Sequence, residues 1–142
     1  DASCTRHQDE AVRRSGALFP GVVLQPLQVH ADARGSFTEV FSDLWGLPIA
    51  PRQFSLVRST RGSFRGMHLH QRHDEYFLML EGRCTLGLHD LRPDSPSCGR
   101  GLTLWLSAST PTVVAFPRGI VHGWLFPTDA VHLQAVSEPY AE

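Results

Sequence analysis

From Val22 to Val136 the chain never runs far without a breaker: short segments rich in Val, Leu, Phe and Thr alternate with clusters of Gly, Pro, Asp and Ser. That spacing suits strands of about five residues and leaves no room for long helices. Strands are predicted over 22–29, 36–41, 54–59, 66–70, 75–81, 84–89, 102–106, 112–116, 123–126 and 131–136. Between them lie HADARG at 30–35, EGR at 81–83, RPDSPSCGRG at 92–101, FPRG at 116–119 and FPTD at 126–129. One short helix is predicted near SDLWG at 42–46. The fold class that follows is all-β, a sandwich or barrel. A chain of 142 residues fits one such domain, spanning 21–142, behind a polar stretch over 1–20 that reads as a tail or arm.

Thirteen basic and fourteen acidic residues are interspersed along the chain and leave a net charge of −1. No basic footprint for nucleic acid or for an anionic membrane exists, so a small-molecule partner is expected. Every basic residue is Arg; with no Lys in the chain, an internal pyridoxal aldimine is excluded. Neither pyridoxal phosphate nor NAD is expected as a cofactor. Cys4, Cys84 and Cys98 are odd in number and lack CxxC spacing, which argues against a disulfide framework or a zinc ribbon. No apolar run approaches 18 residues and no signal-peptide pattern is seen, so a soluble cytoplasmic protein is expected.

The chemistry concentrates in RGMHLHQRHDEYFLMLEG at 65–82. On a strand, His68 and His70 would face the same side. A turn over 71–74 would then let an antiparallel strand bring Glu75 back beside them, and Gly82 would end that strand. Later comes Pro117-x-Gly119-x-x-His122, again at the mouth of a strand. Three neutral imidazoles and one carboxylate make a competent ligand set for a divalent transition metal, with positions left open for substrate or water. His73 reads as a turn residue, and His7, His30, His89 and His132 as structural or solvated.

The order and spacing of these residues resemble the two motifs of the cupin superfamily, HxH, three or four residues, E, six residues, G, and then PxGxxH. The second departs at its last position, where Phe126 stands instead of Asn. The resemblance implies a jelly-roll barrel and one bound Fe, Mn, Ni or Zn ion, with His68, His70, Glu75 and His122 as ligands.

A narrower resemblance covers Gly21 to Tyr140. HADARGSFTEVF resembles the DxRGxFxE segment of the dTDP-4-dehydrorhamnose 3,5-epimerases, and QFSLVRSTRGSFRGMH their QxNxSxSxxGxLRGLH stretch. DLRPDSPSCGR is similar to DLRxxSPTFGR, and FPRGIVHGWLF to PxGxAHGF. In that family, which often works without metal, the match implies that Arg34 and Arg65 hold a nucleotide diphosphate. It implies that Glu39 and Gln53 lie around the nucleotide, that His68 is the base that takes the proton beside the keto group, and that His122 lies near the sugar. It also implies a homodimer in which the segment around Arg34 reaches the partner's pocket. Asp90 and Arg92 match as well, although turn stabilisation accounts for them equally.

Three departures from the family bear on mechanism. Its active-site lysine is replaced by Glu75, and its catalytic tyrosine falls on Gln134, which cannot donate or accept a proton near neutral pH. The extension carrying an aspartate partner of the base is expected to be missing, since the sequence stops at Glu142. A glutamate for lysine supplies the carboxylate that completes a metal shell, and a divalent ion would then serve as the electrophile.

The expected function is thus a metal-dependent enzyme that isomerises, epimerises or dehydrates a nucleotide-linked keto sugar or related carbonyl compound. An iron-dependent oxygenase and a sugar-nucleotide-binding protein without turnover are the alternatives. Phe37, Met67, Phe77, Phe116 and Trp124 are the expected apolar lining.

Overall fold

The computed structural model describes residues 12–139. Its strands are β1 (Arg13–Ser15), β2 (Val23–Pro26), β3 (Val29–Asp32), β4 (Gly35–Thr38), β5 (Gln53–Ser59) and β6 (Phe64–His68), followed by β7 (Glu75–Glu81), β8 (Arg83–Asp90), β9 (Gly101–Ser107), β10 (Thr112–Phe116), β11 (Ile120–Leu125) and β12 (Ala130–Val136). Two antiparallel five-stranded sheets run in the orders β1-β9-β8-β11-β6 and β2-β10-β7-β12-β5, and β3 with β4 forms a separate hairpin. The pairs β5/β6, β7/β8, β9/β10 and β11/β12 are each divided between the two sheets. This is the jelly-roll order, as the sequence motifs imply.

Alternation along β8 and β9 explains how the sandwich closes. Cys84, Leu86 and Leu88 point inward against Leu102, Leu104 and Leu106, and Phe77, Met79, Val114 and Phe116 meet them from the other sheet. β7 and β10 do not alternate, because the opposite face of their sheet is buried too. There Tyr76, Leu78, Val113 and Ala115 pack under Ile49, Val40, Phe41 and Leu47. The covering segment carries the predicted short helix, a 3₁₀ turn over Asp43–Trp45. Its first turn is capped by the Ser42 hydroxyl, which accepts from Leu44 N–H.

Several boundaries differ from expectation. The segment 22–29 splits into β2 and β3, since Pro26 has no N–H to continue the ladder; the next residue, Leu27, donates instead to the Pro111 carbonyl at 2.9 Å. Part of the stretch read as a tail is paired: Arg13 lies opposite Trp105 and Ser15 opposite Thr103. The Arg13 guanidinium stands 5.9 Å over the Trp105 ring, a cation–π contact that lets a strand without apolar periodicity dock. Cys4 and His7 lie outside the described residues. β6 begins and ends two residues early, at His68, and this shift matters most for the site.

Candidate functional site

β6 and β11 are neighbours, with His68 opposite His122. Their backbones approach closely: a Cβ on Gly66 would lie 2.7 Å from the Gly123 Cα, and one on Gly123 would lie 2.7 Å from the Met67 Sδ. Glycine in RGMH and in HGW is therefore what lets the two histidine-bearing strands meet. Beyond β6 the chain turns away from the sheet, and Gly119 N–H donates to the His70 carbonyl at 2.9 Å, tying the PRGIVH segment to that turn. His70 accordingly sits past the strand end. The expectation that His68 and His70 share one strand is corrected by this early end, while their rings still come together, stacked 6.1 Å apart.

Glu75 opens β7 and is only 3% exposed. One of its oxygens, Oε1, lies 3.0 Å from His70 Nε2, 3.2 Å from His73 Nε2 and 3.7 Å from His122 Nε2. His73, read from sequence as a turn residue, is buried. It stands two positions before the strand-opening carboxylate, so the period of two that places alternate residues on one face is the signal that could have found it. His122 donates through Nδ1–H to the Ile120 carbonyl at 3.1 Å, which leaves Nε2 bare. That nitrogen is buried and has no hydrogen-bond partner.

Burial disfavours charge throughout this group. It pushes Glu75 up to about 8 and, with help from the neighbouring imidazoles, pushes His70 and His122 down to about 4. His73 is lowered chiefly by the same cause. Without an ion, burial thus favours the protonated, neutral carboxyl group and neutral imidazoles at His70, His73 and His122.

The donor chemistry also fits a divalent cation. One ligand atom each from His70, His73 and Glu75 lies within 4.8 Å of the others, and the orphaned His122 nitrogen faces the same carboxylate oxygen. His68, expected among the ligands, stands outside that trio, its ring 5.8 Å from that of His122. His122 likewise lies outside the trio, and His73, not expected among the ligands, lies within it.

A cavity of about 160 Å³ adjoins the group, lined by Val57, Arg65, Trp124 and Gln134 together with His68, His70, Glu75 and His122. Arg65 crosses the gap between the edge strands of the two sheets, donating to the Ser59 hydroxyl at 2.9 Å and to the Arg58 carbonyl at 3.0 Å on β5. Gln134 comes from β12, and its Oε1 lies 3.0 Å from Nε2 of the fully buried His132.

Arg34, Glu39 and Gln53 do not line this cavity. Arg34 occupies the β3–β4 turn, paired at 2.7 Å with Asp32 and open to solvent. Glu39 is exposed just after β4, and Gln53 begins β5 opposite Val136. Of the expected apolar lining only Trp124 reaches the cavity. Phe77 and Phe116 belong to the core, and Phe37 and Met67 are exposed.

Known proteins share this architecture. The family profile described as dTDP-4-dehydrorhamnose 3,5-epimerase matches residues 17–142. The dTDP-4-dehydrorhamnose 3,5-epimerase of Escherichia coli is 31% identical over 129 residues, covering 84% of this chain and 68% of that protein. Among solved structures, the rmlC epimerase of Mycobacterium tuberculosis superposes with a TM-score of 0.81 at 25% identity, over 91% of this chain and 69% of that one. ChmJ, a 3'-monoepimerase from Streptomyces bikiniensis in complex with dTDP-quinovose, gives a TM-score of 0.80 at 25% identity, over 88% and 68%.

Proposed function

Since the chain belongs to the dTDP-4-dehydrorhamnose 3,5-epimerase family, we propose that it is an isomerase of dTDP-linked keto sugars that acts by removing a proton from the carbon beside the carbonyl. The observation that carries this reading is the cavity, in which His68 faces the open space outside the trio of His70, His73 and Glu75. His68 is thereby available as the base. The C–H bond breaks toward its imidazole, and the electron pair moves onto the carbonyl oxygen as an enolate. His68 holds the proton as an imidazolium and returns it, while His122, opposite it in the strand pair, and Glu75 beside His122 stand at the same end of the cavity.

Arg65 binds the diphosphate, where a planar guanidinium meets phosphate oxygens two at a time. Gln134 contacts the sugar from β12. Glu39 and Gln53 border the nucleotide in this reading.

His70, His73, Glu75 and His122 would hold a divalent ion, and a cation there would supply positive charge that lowers the cost of the enolate. With His73 in that set, His68 need not be both ligand and base. Family membership favours this isomerase over the oxygenase alternative.

The active form in this reading is a homodimer. The β3–β4 hairpin stands away from the sandwich with Phe37 64% exposed, and Leu56 on the outer face of β5 is 57% exposed. A second copy covering these side chains would bring Arg34 to its partner's cavity. Among the described residues no helix is long and apolar enough to cross a membrane.

The test is proton exchange in heavy water. With dTDP-linked 4-keto-6-deoxyglucose, the wild type should erase the proton NMR signal of the carbon beside the carbonyl. His68→Asn should slow this by at least about a hundredfold while still binding dTDP. Wild-type exchange by the folded variant would move the base elsewhere.

A further inference from the structure

The groups able to exchange a proton are not spread around the cavity. His68, His70, Glu75 and His122 gather at one end, where the turn after β6 meets the starts of β7 and β11. The rest of the lining is Val57, Trp124, Arg65 and Gln134, none of which exchanges a proton at neutral pH. Deeper along β12 lies another imidazole, His132, but it is sealed off. It is fully buried, with its ring 4.8 Å from Phe77, 5.7 Å from Trp124 and 5.7 Å from Phe126. Its Nε2 is engaged by Gln134.

That contact orients the carboxamide. His132 Nδ1 is buried without a hydrogen-bond partner, so the imidazole proton belongs on one nitrogen or the other. An orphaned lone pair costs less than an orphaned N–H. The proton therefore sits on Nε2 and is donated to Gln134 Oε1 at 3.0 Å. With its oxygen held by His132, the amide has its NH₂ group left for the cavity.

We infer that Gln134, held by the positioning residue His132, donates a hydrogen bond to the substrate's carbonyl oxygen, and that the proton removed by His68 returns to the same face of the sugar. This deepens the proposed function and rests on it. The C–H bond breaks, its electrons form the enolate, and the amide N–H stabilises the oxyanion without transferring its proton. Reprotonation from the imidazole end has two outcomes. It restores the original carbon with its configuration retained. Alternatively, the adjacent hydroxyl passes its proton to the enolate oxygen, the carbonyl moves to the hydroxyl's carbon, and the former carbonyl carbon gains the hydrogen from the imidazolium. Each is a balanced isomerisation with no external oxidant. Inversion would need a donor on the opposite face, and among the described residues the lining offers none.

Wild-type enzyme with dTDP-linked 4-keto-6-deoxyglucose in heavy water separates the cases by NMR. Deuterium on the carbon beside the carbonyl with configuration retained, or on the former carbonyl carbon, is the expected result. A 3- or 5-epimer as the main product would overturn this inference while leaving enolisation intact. No exchange at any position would remove both. Gln134→Leu should slow exchange about a hundredfold with little change in KM, and Gln134→Tyr, which adds an acidic proton to that wall, should release epimer. A Gln134→Leu enzyme with unaltered kcat would also overturn the role of the amide.

Discussion

Two buried carboxylates sit at opposite extremes of this molecule. Asp90, fully buried at the end of β8, accepts from Arg92 Nε at 2.9 Å, from Arg92 Nη2 at 3.0 Å and from the Ser95 and Ser97 hydroxyls at 2.6 and 2.5 Å. The Arg92 guanidinium holds it well below the usual carboxylate range. Glu75, nearly as buried, has imidazoles around it instead of a guanidinium, and burial drives it the other way. Equal burial with opposite electrostatics separates a carboxylate whose charge is compensated, and which therefore organises a loop, from one kept poised for protons or a cation.

Removing the compensated group should have the larger effect on stability. Asp90→Ala leaves Arg92 unpaired and releases both serines, and should cost about 3–5 kcal/mol in urea unfolding. The native contribution is present above the ordinary carboxylate value of 3.8 and disappears as pH falls through the depressed folded value. A loss well under 1 kcal/mol would break the contrast from this side.

Glu75 should behave with the opposite sign. In ion-free protein its folded value of about 8 exceeds the ordinary 4.5, so the native state binds the extra proton and stability falls as pH rises through that window. His70 and His122, depressed from 6.5 to about 4, work against this by adding stability as pH rises from 4 to 6.5. Only the Glu75 slope remains above 6.5, amounting to about 2 kcal/mol by pH 8. Thermal melts should show that decline in chelator-treated wild type and none in Glu75→Gln. A bound cation would keep the carboxylate ionised and flatten the wild-type curve, so melts with and without added metal also report on the metal.

The jelly roll was legible because its information is local. Breaker spacing, alternation in β8 and β9, and the glycines flanking the histidines all act within a few residues. The tail strand was hidden because Arg13–Ser15 is held by its backbone pairing with β9 and by the Arg13–Trp105 contact rather than by an apolar pattern of its own. His73 and His132 were hidden for another reason. Their roles depend on a partner two residues away, the buried Glu75 or the half-buried Gln134, and on their own burial, which one sequence does not display. The motif identified four of the clustered residues, His68, His70, Glu75 and His122, and missed the early end of the strand at His68 and the burial of His73 beside Glu75.

The most direct test is the rate of α-proton exchange by Glu75→Gln with dTDP-linked 4-keto-6-deoxyglucose, on protein whose melting confirms that it is folded. A chemical role predicts a variant at least as stable as wild type at pH 8 with exchange slowed by about a hundredfold or more. Exchange at the wild-type rate in the folded variant would contradict it and leave Glu75 as packing.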